Sequence, residues 1–131
     1  MKYLTTSELI ALNTAVLLNT SEKSTVRNAK GLESIEALPQ QAFFGIEAYS
    51  EFYKKIGIVF IKIINLHPFE DGNKRTAVMA ASVIAKMNGF QLNLSNQGIA
   101  DLALKVASVD ENKLKYEDVY RIFQKHLHKL K

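Results

Sequence analysis

The strongest constraint on this fold is an apolar stripe that runs from residue 46 to residue 66 and is followed by a proline. Apolar side chains recur in it every three or four residues, in two neighbouring columns. A helix that is apolar on more than one side needs partners on more than one side, so the pattern predicts a central, buried helix. Pro68 ends this helix, because its ring disfavours the helical conformation at the preceding residue and it has no N–H. The columns are Ile46, Tyr49, Tyr53, Ile56, Phe60 and Ile63, and Phe52, Val59 and Leu66.

Two shorter helices are predicted before the central one. The sequence from Thr5 to Glu8 has the form of a capping box, a threonine followed three residues later by glutamate, so a first helix begins there and ends near Leu18. Leu9, Leu12, Ala15 and Val16 follow at helical spacing. Residues 19 to 30 are polar without periodicity and indicate a surface loop. Residues 31 to 38 suit a short helix that ends at Pro39.

The segment from Pro39 to Gly45 is compatible with a mobile flap or with a short strand. Its two aromatic residues, Phe43 and Phe44, could lie in the core or be offered to a partner. We favour the core, because buried aromatic side chains usually serve packing.

Three more helices are predicted after the central one. The first begins around Asn73, carries several alanines and ends at Gly89, which with Phe90 resembles a left-handed C-terminal cap. The second starts after Ser95, and the last carries Val119, Ile122, Phe123 and Leu127. We therefore expect an all-α fold of about six helices in a single domain, residues 1–131, with a short flap possible between the second and third helices.

The composition bears on compartment and partners. The chain has no cysteine, which excludes a disulfide framework and thiol chemistry and agrees with a reducing compartment. It shows neither a signal sequence nor an apolar run long enough to span a membrane, so we expect a cytoplasmic protein. The net charge of +4 fits solvated surface lysines, and direct nucleic-acid binding is not expected.

The nine residues from His67 to Arg75 combine groups that a core does not need together. The start of the following helix offers unpaired N–H groups and a positive dipole end, which suit a phosphate. Gly72 lets the backbone approach an anion closely, and Asn73 can donate from its carboxamide. Lys74 and Arg75 add positive charge. These groups together predict an anion site.

Two further groups in this stretch point to a nucleotide. Asp71 would repel a bare phosphate, but a carboxylate together with phosphate oxygens is the usual arrangement around Mg²⁺. His67 can accept a proton from a hydroxyl that attacks phosphorus. Taken singly, each residue also has an ordinary explanation, since a histidine can cap a helix and Asp-Gly-Asn is common in turns. Their joint order between two helices favours a site.

The sequence His67-Pro68-Phe69-Glu70-Asp71-Gly72-Asn73-Lys74-Arg75 resembles the signature of the Fic/Doc superfamily. The similarity to death-on-curing (Doc) type toxins extends to Tyr3-Leu4-Thr5, Gly31-Leu32-Glu33-Ser34, Pro39-Gln40, Phe44-Gly45 and Asn88-Gly89. The resemblance implies a helical Fic fold and an enzyme.

The resemblance also implies a role for most positions of the motif. His67 would take the proton from a target hydroxyl, and Asp71 would bind Mg²⁺. Pro68 and Phe69 would be structural, with the Phe69 ring anchoring the loop in the core. The nucleotide phosphates would be held by Gly72, Asn73, Lys74 and Arg75.

The eighth position of the motif separates two chemistries in this superfamily. Typical Fic proteins have glycine there and transfer AMP, whereas Doc proteins have lysine, as Lys74 is here, and transfer the γ-phosphate of ATP. Many AMP transferases carry a second arginine where this chain has Val78. Gly72, by contrast, follows the broader Fic pattern. The leading hypothesis is a Doc-like protein kinase that uses ATP and Mg²⁺, with elongation factor Tu as the target by analogy.

Restraint of such a toxin is expected from a separate protein. No serine or threonine in the chain is followed four residues later by glutamate, so the self-inhibitory pattern of some Fic proteins is absent. The resemblance implies a Phd-like antitoxin as partner. Two alternatives stay open, a Fic-type AMP transferase and a non-catalytic helical binding module.

Overall fold

The structure is a computed structural model that describes residues 1–130, so Lys131, the last residue of the expected domain, lies outside it. Within the described residues the chain forms six α-helices, two short 3-10 turns and four short strands. The helices are α1 (Thr6–Val16), α2 (Ala29–Ala37), α3 (Phe52–Asn65), α4 (Asn73–Met87), α5 (Asn96–Ser108) and α6 (Tyr116–His126). The strands are β1 (Ala42–Phe43), β2 (Ile46–Glu47), β3 (Phe90–Leu92) and β4 (Leu127–Lys129), and the turns are Leu38–Gln40 and Glu111–Lys113. The expected all-α architecture is confirmed.

Helix α3 is the centre of the core. Its side chains are buried at every position from 55 to 61 and again at 63 and 64. It packs against α2, α4, α5 and α6, as a helix that is apolar on several sides requires. The Phe60 ring meets the Phe123 ring of α6 edge to face, with 5.3 Å between the centroids. The prediction of a central, buried helix is confirmed.

The beginning of the central helix was predicted too early. Helix α3 starts at Phe52, whereas Ile46 belongs to β2 and Tyr49 lies in the turn that follows it. Both residues match the helical spacing only by coincidence, because Phe44 and Gly45 before them adopt positive φ angles of 52° and 78° and turn the chain into a hairpin. Turn geometry therefore overrides the apolar periodicity at this end.

The hairpin β1–β2 occupies the segment between α2 and α3. Ala42 pairs with Glu47 and Phe43 with Ile46, so the short-strand interpretation and the expected small flap are confirmed. The placement of the two phenylalanines in the core was wrong, since Phe43 is 59% exposed and Phe44 is fully exposed. Both two-residue strands are exposed along their whole length and Phe44 lies in the turn between them, so neither ring reaches the core.

The base of the hairpin is held by a buried lysine. Lys55 of α3 is only 5% exposed, and its Nζ donates to the Pro39 carbonyl at 2.7 Å and to Glu47 Oε1 at 3.0 Å. A buried ammonium group needs such partners, because its charge has lost its water. These two hydrogen bonds of Lys55 fix the point at which the hairpin leaves the core.

The predicted starts of α1 and α5 agree with the structure, whereas α2 begins at Ala29, two residues before the prediction. Thr5 and Glu8 form a complete capping box at α1, and Ser95 Oγ accepts from the Gly98 N–H at the start of α5. Gly89, after α4, has φ 79°, as the predicted left-handed cap requires. The end of the last helix differs from the prediction, because Leu127 lies in β4, which pairs with β3. This pairing joins residues far apart in sequence and has no local signal.

Close approach of helices is achieved with small residues. Helix α4 packs against α3, and four of its six buried residues are alanines, Ala77, Ala80, Ala81 and Ala85. On its other side, α3 presents Gly57 to α6, and a Cβ there would stand 2.6 Å from Cδ1 of Tyr120. None of the helices in the described residues is long and apolar enough to cross a membrane.

Gly57→Ala tests the contact between α3 and α6. Alanine favours helix by about 1 kcal/mol over glycine, but overpacking against the buried Tyr120 ring costs roughly 1–3 kcal/mol, so we expect a lower free energy of unfolding. Chemical denaturation in the wild-type and Tyr120→Ala backgrounds measures both effects. Gly57→Ala should become neutral or stabilising once the ring is gone. The same loss in both backgrounds would contradict the contact.

Candidate active site

The predicted motif forms the junction between α3 and α4. Helix α3 ends at Asn65, and the Leu66 N–H still donates to the Lys62 carbonyl at 2.9 Å. The next residue, His67, has φ 46°, in the left-handed region that residues with a side chain rarely adopt. Pro68 follows and prevents the helix from continuing. The chain therefore turns sharply, and the exposed imidazole of His67 stands just beyond the end of α3.

The junction is held from outside by the chain that precedes α2. The Pro68 carbonyl accepts from the N–H groups of Arg27 and Asn28 at 2.8 and 3.1 Å, and the Glu70 N–H donates to the Thr25 carbonyl at 3.0 Å. Between them, Val26 and Phe69 form an antiparallel bridge. The sequence predicted only a surface loop for residues 19 to 30, so this support was missed.

Asn28 links two helices by its side chain alone. Its Oδ1 caps α2 by accepting from the Gly31 N–H at 2.9 Å, and its Nδ2 donates to the Leu66 carbonyl at 3.0 Å. A free carbonyl at the C-terminus of α3 is thereby satisfied. The start of α2 and the end of α3 keep a fixed separation as a result.

Inside the junction, Phe69 and Asn73 close the loop on itself. The Phe69 ring is fully buried in the core. Its backbone N–H donates to Asn73 Oδ1 at 3.1 Å, and its carbonyl accepts from Asn73 Nδ2 at 2.8 Å. The Asn73 carboxamide thus already has two backbone partners, and only its second Nδ2 hydrogen is left for a ligand. Its predicted contact with phosphate stays a prediction.

Gly72 is the N-cap of α4 and has φ 78°. A Cβ at this position would stand 3.2 Å from both Asn13 Nδ2 and Leu17 Cδ2 of the chain around α1, so backbone conformation and crowding both require glycine. The Gly72 carbonyl accepts the first helical bond, from the Thr76 N–H at 2.8 Å. Because glycine has no side chain to cap the helix, the first N–H groups of α4 are open to an anion.

Positive charge surrounds this open helix start. Lys74 and Arg75 are exposed on the first turn of α4. Arg75 is steadied by α1, since its Nη1 donates to the Val16 carbonyl at 3.2 Å. The ion pairs within residues 1–130 are Lys55–Glu47 and Lys62–Glu111, so neither Lys74 nor Arg75 is neutralised there. Asp71, half buried, supplies the one carboxylate immediately before the helix.

Sequence reasoning missed Asn13, which reaches the junction from α1. It is fully buried, and its Nδ2 donates to the Asp71 carbonyl at 2.8 Å and to Thr76 Oγ1 at 3.2 Å. The buried face of α1 consists of Leu9, Asn13 and Leu17, whereas Ala15 of the predicted face is exposed. A polar residue at the centre of an apolar face was the signal that could have found it.

An apolar groove opens beside Lys74 and Arg75. It has a volume of about 510 Å³ and lies between the end of α1, the outer face of α4 and α5. Met79 and Leu104 on its walls are 38% and 57% exposed. The remaining lining residues are Val16, Val78, Ala100 and Ala103.

These features define a helical protein that places an exposed histidine after one helix and an open, cationic start on the next. A model of the Fic/DOC family matches residues 3–85, which include the whole junction. The chain belongs to the Fic/DOC family.

One relative shows where within this family the similarity lies. The chain is 36% identical over 67 residues to Toxin Doc of Mycolicibacterium smegmatis (strain ATCC 700084 / mc(2)155). The matched region makes up 51% of this chain and 52% of the relative, so the chain spans about half the length of that protein. The resemblance to a Doc-type toxin is supported.

The three left-handed glycines allow the crowding at Gly72 to be separated from its strain. Gly45, Gly72 and Gly89 have φ angles of 78°, 78° and 79°, but a Cβ would meet neighbours within 4 Å only at Gly72. Alanine at Gly45 or Gly89 should therefore cost only the left-handed strain of about 1–2 kcal/mol. We expect Gly72→Ala to lower the free energy of unfolding by more than either control in urea denaturation. Equal losses at all three positions would contradict the close packing of α1 on the junction.

Proposed function

We propose that this chain is a Doc-like toxin, a protein kinase that transfers the γ-phosphate of ATP to a hydroxyl group of a translation factor. By analogy with the family the target is elongation factor Tu, and phosphorylation would block translation in the cytoplasm. Residues 1–131 are proposed to act as a single domain. The observation that carries the proposal is the open start of α4 beside the exposed His67, with Lys74, which makes no ion pair within residues 1–130, on its first turn.

The residues present fit a magnesium nucleotide. Mg²⁺ is usually held by one or two carboxylates together with phosphate oxygens and water, and Asp71 supplies one carboxylate beside the proposed phosphate site. Within residues 1–130 no group of three or more acidic, histidine or cysteine side chains could hold a metal ion. Phosphate oxygens and water would therefore complete the coordination of Mg²⁺. The ion, when bound, would offset the charge of the phosphates.

The chemical step needs one base and one group that stabilises charge. The target hydroxyl oxygen forms a bond to the γ-phosphorus while the bond from that phosphorus to the bridging oxygen breaks, and ADP leaves. His67 accepts the hydroxyl proton. The N–H groups at the start of α4, with Lys74 and Arg75, stabilise the negative charge on the transferred group.

Lys74 supports phosphate transfer over AMP transfer. Its ammonium group adds a full positive charge to the helix start. This charge would offset the negative charge on the three oxygens of a terminal phosphate bound there. The position of the second arginine of many AMP transferases is Val78, which lines the apolar groove instead. The proposed site thus has two cations, Lys74 and Arg75, for one phosphate group, and the adjoining groove wall at Val78 is apolar.

Label transfer from two forms of ATP, one labelled at the α-phosphate and one at the γ-phosphate, distinguishes the candidate reactions. Purified protein is incubated with Mg²⁺, elongation factor Tu and ATP labelled at either the α- or the γ-phosphate. The γ-label should pass to the target and the α-label should not. Passage of the α-label alone would instead support AMP transfer and reject the kinase.

His67→Ala tests whether the toxin is an enzyme. Loss of a general base should lower the rate of label transfer by roughly 10²- to 10⁴-fold and relieve growth arrest in cells. His128→Ala, which removes an exposed histidine in β4, is the matched control and should behave like the wild type. Growth arrest that survives His67→Ala would favour the non-catalytic binding module.

We further propose that a Phd-like antitoxin restrains the toxin by placing a helix in the groove between α1, α4 and α5. The groove is apolar, as the buried face of an amphipathic helix requires. It ends at Lys74 and Arg75, so a carboxylate on the bound helix would pair with them and cover the phosphate site.

The groove is tested by adding a charge to its wall. Leu104→Glu buries a carboxylate against apolar groups when the antitoxin binds, so we expect its affinity for the cognate antitoxin to fall by about tenfold or more. Leu18→Glu is the control, because Leu18 is an exposed leucine outside the groove. Titration calorimetry measures both. Equal affinities for the two variants would exclude this groove as the antitoxin site.

A further inference from the structure

Asn13 is an unusual residue for its place in the fold. It is fully buried on the apolar face of α1, one turn from Leu9 on one side and from Leu17 on the other. Within the described residues its Oδ1 is buried without a hydrogen-bond partner, which destabilises the folded state. A leucine, which has the same branching of side-chain heavy atoms, would bring no unpaired polar atom into the core. Packing alone therefore does not explain an asparagine here.

The two hydrogen bonds of Asn13 join the two sides of the α4 start. Its Nδ2 donates to the Asp71 carbonyl, immediately before the N-cap, and to Thr76 Oγ1, just after the first turn. If the carboxamide were turned round, its oxygen would face the Asp71 carbonyl, which can only accept, so this partner fixes the orientation. The peptide between Asp71 and Gly72 is thereby fastened to the body of the helix.

Other contacts from the same end of α1 reach the same turn. Gly72 lies against Val16 and Leu17, and the Val16 carbonyl accepts from Arg75. The C-terminal half of α1 thus packs against the turn that forms the proposed phosphate site, and Asn13 is the α1 side chain that makes hydrogen bonds to this turn. We infer that Asn13 is a positioning residue, which sets the direction of the Asp71 carboxylate and of the open N–H groups of α4.

This role has a consequence that packing would not have. Without the two hydrogen bonds, the Asp71–Gly72 peptide can rotate, and the Asp71 carboxylate and the first-turn N–H groups lose their fixed relative direction. Binding of Mg-ATP should weaken, while the core around α1 stays filled. The nucleotide part of this inference rests on the proposed function, whereas the local order of the turn does not.

Asn13→Leu is the decisive variant. It keeps the number and branching of the side-chain heavy atoms and removes both donors together with the unpaired oxygen. Because its methyl groups are larger than the carboxamide and leave the Asp71 carbonyl without this donor, we expect the melting temperature to fall while the protein stays folded. The amide of Thr76, which donates to the Gly72 carbonyl, should exchange with solvent about tenfold faster by NMR as the turn loosens. The Glu70 amide, held by Thr25, is the internal reference and should not change. Thr14→Ala, at an exposed position of α1, should leave both amides as they are.

Affinity for Mg-ATP provides the second measurement. Removal of a residue that orients a metal ligand typically costs roughly 10- to 100-fold in affinity, so Asn13→Leu should bind Mg-ATP that much more weakly by calorimetry. Thr14→Ala should bind as the wild type does. A loss of affinity while the Glu70 amide keeps its exchange rate supports positioning, and unchanged affinity in Asn13→Leu overturns it.

The two measurements keep this inference separate from the proposed function. If the wild type binds no Mg-ATP, the proposed function fails, and the Thr76 exchange rate alone decides the role of Asn13. An unchanged Thr76 rate in Asn13→Leu overturns the inference whatever the wild type binds. Should Asn13→Leu not fold, the double variant Asn13→Leu/Thr76→Val takes its place. It replaces both members of the Asn13–Thr76 hydrogen bond by apolar side chains, and the Mg-ATP measurement is made on it.

Discussion

The packing of α4 on α3 is the constraint on which the rest of the structure depends. The alanine face of α4 lets the two helices approach closely, so the chain must reverse between them within a few residues. That reversal requires a left-handed His67, a proline after it and a left-handed Gly72. The same reversal places the end of one helix, with its exposed imidazole, near the open start of the next.

A reversal this tight is stable only because other elements hold it. The chain before α2 binds its backbone at Pro68 and Glu70, Asn73 closes the loop onto Phe69, and Asn13 fastens the turn from α1. Each contact satisfies a backbone group that the reversal would otherwise leave unpaired. Among the proposed site residues, Asn73 therefore helps to hold the loop, whereas the side chains of His67 and Lys74 make none of these contacts.

The sequence predicted the helices well and the site in outline. The apolar columns, the capping box at Thr5 and the caps at Ser95 and Gly89 are local signals, and the structure has helices or helix ends where they indicate. The motif from His67 to Arg75 is also continuous, so its order was readable. Asn13 and the support from residues 25–28 come from elsewhere in the chain, and only the fold brings them there. The exposure of Phe43 and Phe44 depended on a turn whose positive φ at a phenylalanine is not encoded by residue type.

The central claim is that the terminal phosphate of ATP lies at the start of α4 and faces His67. A crystal structure of the protein with Mg²⁺ and a non-hydrolysable ATP analogue tests it most directly. We expect the γ-phosphate within hydrogen-bond distance of the Asn73 to Arg75 N–H groups, with Lys74 beside it and the imidazole of His67 on its open side. An α-phosphate in that position, with the γ-phosphate pointing away, would contradict the account and assign the site to AMP transfer.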